Sequence, residues 1–92
     1  MNTMTLRNHG VRFAFVDGEK YYHLIDICDA LSLYVVFVIN DIGKELVTST
    51  IRIKGDDPNQ IYTGVNYDSL TKIVTYYWEK SKEANNETHE LI

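Results

Sequence analysis

The dipeptide Asp17-Gly18, set between two stretches rich in alternating apolar residues, constrains this chain more than any other feature. A two-residue type I′ turn needs positive φ at both central positions, which aspartate tolerates and glycine adopts freely. Upstream, Val11 to Val16 reads as a strand with Val11, Phe13 and Phe15 on one face, and Lys20 to Leu24 reads as its return partner. Asp26 then predicts an N-cap, with Asp29 well placed for the helix dipole. Ile27, Ala30, Leu31 and Tyr34 recur at i, i+3, i+4 and i+7, the buried stripe of a short amphipathic helix.

Residues 35–47 carry two competing signals. The β-branched run Val35-Val36-Phe37-Val38-Ile39 suits a strand. Val35, Ile39, Ile42 and Leu46 nevertheless align at helical spacing, which predicts a helix with those four residues buried and Gly43 as its weak point. Thr48 to Lys54 alternates as a half-buried strand, the Gly55-Asp56-Asp57-Pro58-Asn59 cluster predicts a turn, and Gln60 to Val65 returns. Asn66 or Asp68 can cap a last helix with a stripe of Leu70, Ile73, Val74, Tyr77 and Trp78. The expected fold class is α+β, two β-hairpins and about three helices in one small domain over residues 11–80. Residues 1–10 read as a loose lead-in and residues 81–92 as a disordered polar tail.

A chain of 92 residues makes one domain with one modest core. Its single cysteine, Cys28, excludes an internal disulfide framework and points to a reducing compartment. No apolar run is long enough to span a bilayer and no secretory h-region follows Met1, so the expectation is a soluble cytoplasmic protein with no membrane partner. Residues 1–54 are neutral, with six basic and six acidic side chains; residues 55–92 carry seven acids against three lysines. Nucleic-acid binding draws much of its affinity from neutralising phosphates, so a net charge of −4 disfavours it.

Catalytic and metal-binding patterns are missing from the sequence. His9, His23 and His89 are scattered and join no Cys/His cluster of zinc spacing. Cys28 lies between Asp26 and Asp29, whose charges oppose thiolate formation. The acid pairs Asp26/Asp29 and Asp56/Asp57 fit capping and turn formation, and no glycine-rich phosphate loop occurs. These readings predict a non-enzyme with no cofactor, no metal and no catalytic residue.

Binding residues remain. Seven tyrosines in 92 residues is a surplus, and aromatic side chains are favoured at interfaces. On a helix whose core stripe is Val35, Ile39, Ile42 and Leu46, Phe37 points about 160° away, at roughly 100° per residue. Val36 lies beside it, and Tyr76 falls outside the last helix's stripe. Val36, Phe37 and Tyr76 are therefore the expected partner or oligomer interface, with a two-fold homodimer as the default. Arg52 and Lys54, on one face of a strand, are the alternative contacts for nucleic acid.

The stretch Asp26-Ile27-Cys28-Asp29-Ala30-Leu31-Ser32-Leu33, preceded by Val16-Asp17-Gly18-Glu19, resembles the amino-terminal domain of phage antirepressors, the Bro-N-like group. In that family a hairpin runs into a helix start similar to Asp/Pro-Ile-Cys-Glu-Ala-Leu-Gly-Leu. Gly64-Val65-Asn66-Tyr67-Asp68-Ser69-Leu70 resembles the family's strand-into-helix segment, so the likeness spans roughly residues 11–80. Ser32 stands where the family usually has glycine, and the second helix is apolar where the family tends to be polar and basic. The resemblance implies a phage or prophage regulatory module that binds a repressor or host regulatory protein. The alternatives are a small acidic phage inhibitor of a host defence system, anti-CRISPR-like and a mimic of DNA, or a DNA-binding Bro-N-type transcription regulator.

Overall fold

A computed structural model describes every residue except 1, 45, 47, 56, 58, 91 and 92, and the side chains of all but residues 83–90 among the rest. Five strands and three helices follow one another as β1 (Asn2–Leu6), β2 (His9–Val16), β3 (Glu19–His23), α1 (Leu24–Ala30), α2 (Val35–Asp41), β4 (Ile51–Lys54), β5 (Ile61–Asn66) and α3 (Tyr67–Glu90). The strands form one antiparallel sheet in the order β1-β2-β3-β5-β4. The fold is the α+β class expected, with both expected hairpins present.

Asp17 and Gly18 adopt φ of 52° and 82°, the two positive values a type I′ turn requires. The register that follows sets Phe13 opposite Tyr22 and Phe15 opposite Lys20. Residues 1–10, expected as a lead-in, contain a further strand instead. Arg7 and Asn8 form a second turn with φ of 50° and 68°, and β1 pairs along β2 from Asn2↔Phe13 to Leu6↔His9. The signal was weak because Asn and Thr at alternate positions leave only Met4 and Leu6 as an apolar face.

Side chains on opposite faces of the sheet separate cleanly. Val11, Tyr22 and Val65 point to the core, where they meet Leu24, Ile27, Cys28 and Ala30 of α1, Val38 of α2, and Leu70 and Ile73 of α3. Met4, Leu6 and Phe13 pack against its margin. The other face carries Thr3, Thr5, Arg12, Tyr21 and Tyr62, as the pairing register dictates. Ile53 is buried there over Gly64: a Cβ at residue 64 would lie 2.8 Å from Ile53 Cγ1 and closer still to Cδ1.

The helices depart from expectation in their ends and buried faces. α1 begins at Leu24, so Asp26 sits in its first turn and is no cap; His23 occupies the N-cap position, and its side chain does not cap the helix. The helix stops at Ala30, and Ser32 turns left-handed at φ 57°, which swings Tyr34 out of the stripe and into solvent. α2 is helical as expected, but it ends at Asp41 with Ile42 extended. Its buried residue is Val38, and Ile39 is exposed. Ile42 and Leu46 pack inward from beyond the helix, so no common helical period relates them to Val35 and Ile39. β4 starts at Ile51, three residues later than the alternation from Thr48 suggested. Parts of the expected turn at 55–59 and of the helix at 35–47 lie outside the described residues. Asn66 caps α3 as expected, its Oδ1 accepting the Ser69 N–H at 2.9 Å. Leu70 and Ile73 are buried, yet Val74 and Trp78 of the same expected stripe are exposed. α3 runs to Glu90 where a disordered tail was expected from residue 81; residues 91 and 92 lie outside the described residues.

Candidate functional site

The outer face of α2 concentrates exposed apolar side chains. Phe37 is 63% exposed, Val36 64% and Ile39 51%, and Tyr34 at the N-cap is 76% exposed. Tyr34 and Phe37, three residues apart, meet edge to face with ring centroids 5.8 Å apart. Val36 points away from Val38, while Phe37 and Ile39 flank it at about 100° to either side, so the exposed apolar side chains spread across the outer half of the helix. Val36 and Phe37, expected at the interface, are both placed on this exposed surface.

Tyr76, expected as a contributor, is not. It is half-buried against the core margin, edge-on to Tyr77 at 4.9 Å, with Lys80 Nζ 4.9 Å from its ring centroid. Helical spacing placed Tyr76 outside the stripe, but a stripe centred on Leu70 and Ile73 brings both tyrosines to the same margin. Tyr77 reaches across instead: its hydroxyl donates to Asp41 Oδ2 at 2.7 Å, fixing the last residue of α2 to α3. Burial and that bond push the Tyr77 hydroxyl pKa well above the ordinary tyrosine value.

A groove of about 580 Å³ adjoins the patch, lined by Leu31, Leu33, Val74, Tyr77, Trp78 and Arg7 among others. Leu33 borders the groove and the next residue, Tyr34, opens the patch. Trp78 is 62% exposed, with Lys82 Nζ 4.9 Å from its ring centroid. The sequence reading missed this groove because it assigned Trp78 to the core, whereas Trp78 is exposed.

Arg52 and Lys54, the alternative nucleic-acid contacts, are exposed on the edge strand β4, opposite Thr63 and Ile61. Neither forms an ion pair among the described residues. Arg12 is committed elsewhere. Its backbone N–H, Nε and Nη2 all donate to the Asp26 carboxylate at 2.8–2.9 Å, and its guanidinium lies 4.8 Å from the centroid of the Tyr62 ring. Burial alone would raise the Asp26 pKa, but Arg12's hydrogen bonds and charge outweigh it and hold the carboxyl below its ordinary value. Cys28 is buried in the core, and burial, helped by the Asp29 charge, pushes its thiol up to about 11. His23 is buried with its ring 4.5 Å from that of Tyr62. His9 is exposed on β2, and the side chain of His89 lies outside the described residues. Among the described residues no group of three or more His, Cys, Asp or Glu side chains could hold a metal ion, and no helix is long and apolar enough to cross a membrane.

No protein-family model matches this chain, and no curated protein or solved structure does either.

Proposed function

We propose that this chain is a non-enzymatic regulatory module that binds another protein through the outer face of α2. The observation that carries this reading is the cluster of Tyr34, Val36, Phe37 and Ile39, four large apolar side chains exposed within six residues. Contiguous exposed apolar surface of this kind marks association sites, and aromatic anchors dominate binding energy at them. The resemblance of residues 26–33 and 64–70 to Bro-N-like antirepressors favours a phage-type module acting in the bacterial cytoplasm on a repressor or another host regulatory protein. An apolar α2 in place of a basic one supports the protein-binding branch over the DNA-binding one.

Phe37→Asp tests the reading. The variant keeps its circular dichroism spectrum and urea midpoint, because Phe37 contributes little to the core, and it loses the partner in a pull-down with wild-type chain as control. A variant that unfolds, or that retains the partner undiminished, overturns it. A second reading rests on Arg52 and Lys54, whose exposed charges share one strand face and form no ion pair among the described residues. Mobility-shift titration against nonspecific duplex decides it: salt-sensitive micromolar binding, weakened by Arg52→Ala, makes this a DNA-binding protein. The acidic balance of residues 55–92 fits an inhibitor that mimics DNA, and competition with duplex for a host DNA-binding protein is the corresponding assay.

A further inference from the structure

The two edges of the sheet are chemically unlike. β4 at one edge carries Arg52 and Lys54 within four residues, the kind of charge that keeps a strand edge from pairing with another chain. β1 at the other edge reads Asn-Thr-Met-Thr-Leu, with no charge, no proline and no glycine. Nothing in β1 discourages a further strand.

The backbone of β1 is also oriented to receive one. The two-residue turn at Arg7-Asn8 makes Leu6 and His9 a hydrogen-bonded pair. Alternation along an antiparallel ladder then turns the N–H and C=O groups of Asn2, Met4 and Leu6 toward β2, and those of Thr3 and Thr5 outward. An independent contact agrees with this phase. Arg12, directly opposite Thr3, gives its backbone N–H to Asp26 at 2.9 Å and not to β1.

We propose that a second copy of this chain pairs with β1 edge to edge, antiparallel about Met4, joining two five-stranded sheets into one continuous sheet. The sequence is self-complementary in that register. Thr3 of each copy stands opposite Thr5 of the other as a hydrogen-bonded pair, so the outward N–H and C=O groups of both threonines are satisfied. Met4 meets its own copy on the two-fold axis at a non-hydrogen-bonded position, where side chains approach most closely. Threonine opposite threonine is a favourable cross-strand pair. β1 contributes no residue to the α2 patch, so the inference goes beyond the proposed function. Two different self-complementary contacts on one chain would link copies into an open array, which assigns the second copy to β1 and leaves α2 for a different protein.

Sedimentation equilibrium across a wide concentration range, with circular dichroism to confirm folding, tests the proposal. Wild type is expected to form a reversible dimer. Thr3→Lys combined with Thr5→Lys sets like charges opposite one another twice and leaves a folded monomer. Thr3→Lys combined with Thr5→Glu sets opposite charges across the same pairs and restores the dimer. Thr3→Pro removes only an outward N–H, so it too gives a folded monomer. Phe37→Asp remains dimeric, which separates failure of this proposal from failure of the docking reading. A wild type that stays monomeric at the highest concentration, or a doubly lysine-substituted chain that dimerises as wild type does, overturns the proposal. So does a dimer abolished by Phe37→Asp.

Discussion

Replacing Asp26 with alanine should destabilise the domain more than replacing Arg12, although the two form one ion pair. The Asp26 carboxylate accepts the Arg12 backbone N–H at 2.9 Å, one residue beyond the last β2–β3 pair, Phe13↔Tyr22. Asp26→Ala orphans that N–H in a partly buried site, which costs about 1–3 kcal/mol. The guanidinium side chain is 39% exposed, so water recovers much of it and the ion pair itself adds only about 0–1 kcal/mol. An acidic group in the first turn of α1 contributes a further ~0.3–1 kcal/mol through the helix dipole. The total is about 1–5 kcal/mol, a large share of the roughly 5–15 kcal/mol that stabilises a domain. Arg12→Ala keeps both the N–H bond and the first-turn charge and loses the ion pair, so it should cost about 0–1 kcal/mol. Urea unfolding followed by circular dichroism measures both. Asp26 is held below its ordinary pKa of 3.8, so its contribution is present above that pH and is lost as the pH falls through the folded value. The gap between wild type and Asp26→Ala should therefore narrow below about pH 4. An Arg12→Ala variant as unstable as Asp26→Ala, or a gap unchanged by acid, refutes the reasoning.

Gly64→Ala should cost about 1–3 kcal/mol by overpacking against Ile53, and Ile53→Ala in the same chain should absorb much of it. A urea double-mutant cycle with no coupling between the two positions removes that account. The Cys28 thiol, pushed up to about 11 by burial, should resist iodoacetamide at pH 8 in the native state and react fully in urea. Because its folded pKa lies above its unfolded value near 9, its contribution is complete below pH 9 and is lost as the pH rises toward 11. Cys28→Ala should flatten that decline, and equal alkaline slopes in the two proteins count against it.

The hairpins were readable because turn chemistry is local. Asp17-Gly18 specifies both φ values of its turn, and alternation in the flanking residues sets the face. Asn66 was readable for the same reason, as its amide needs only the N–H three residues on. What sequence misassigned depends on contacts between distant segments. Asp26 looks like a cap until β2 brings Arg12 beside it, fourteen residues away in sequence. Trp78 fits a core stripe by spacing, yet the core contacts of α3 are made by Leu70 and Ile73 and leave Trp78 exposed. β1 was missed because its apolar face is only Met4 and Leu6, too short a period to stand out before its pairing with β2 is known.

The α2 patch tests how far an interface can be inferred from one chain. Its exposure followed from helical spacing even though the stripe assumed to be buried was partly wrong, since Val38 and not Ile39 faces inward. Shifting the buried face by one position still leaves Val36 and Phe37 outside. A seven-residue helix is well below the roughly 12–15 residues at which an isolated helix holds together in water, and α2 has neither a side-chain N-cap bond nor a favourable terminal charge. It is held by the burial of Val38, by partial burial of Val35 and by the Tyr77 bond to Asp41. None of those anchors involves Tyr34, Val36, Phe37 or Ile39. Polar residues at these four positions would serve the fold as well and would have better helix or solvation properties at a surface. Valine and isoleucine at exposed helix positions are in fact poor choices for the helix, because their β-branches restrict χ1 against the preceding turn. The fold that presents that face does not require its apolar character, and this surplus is the premise of the binding role proposed for α2.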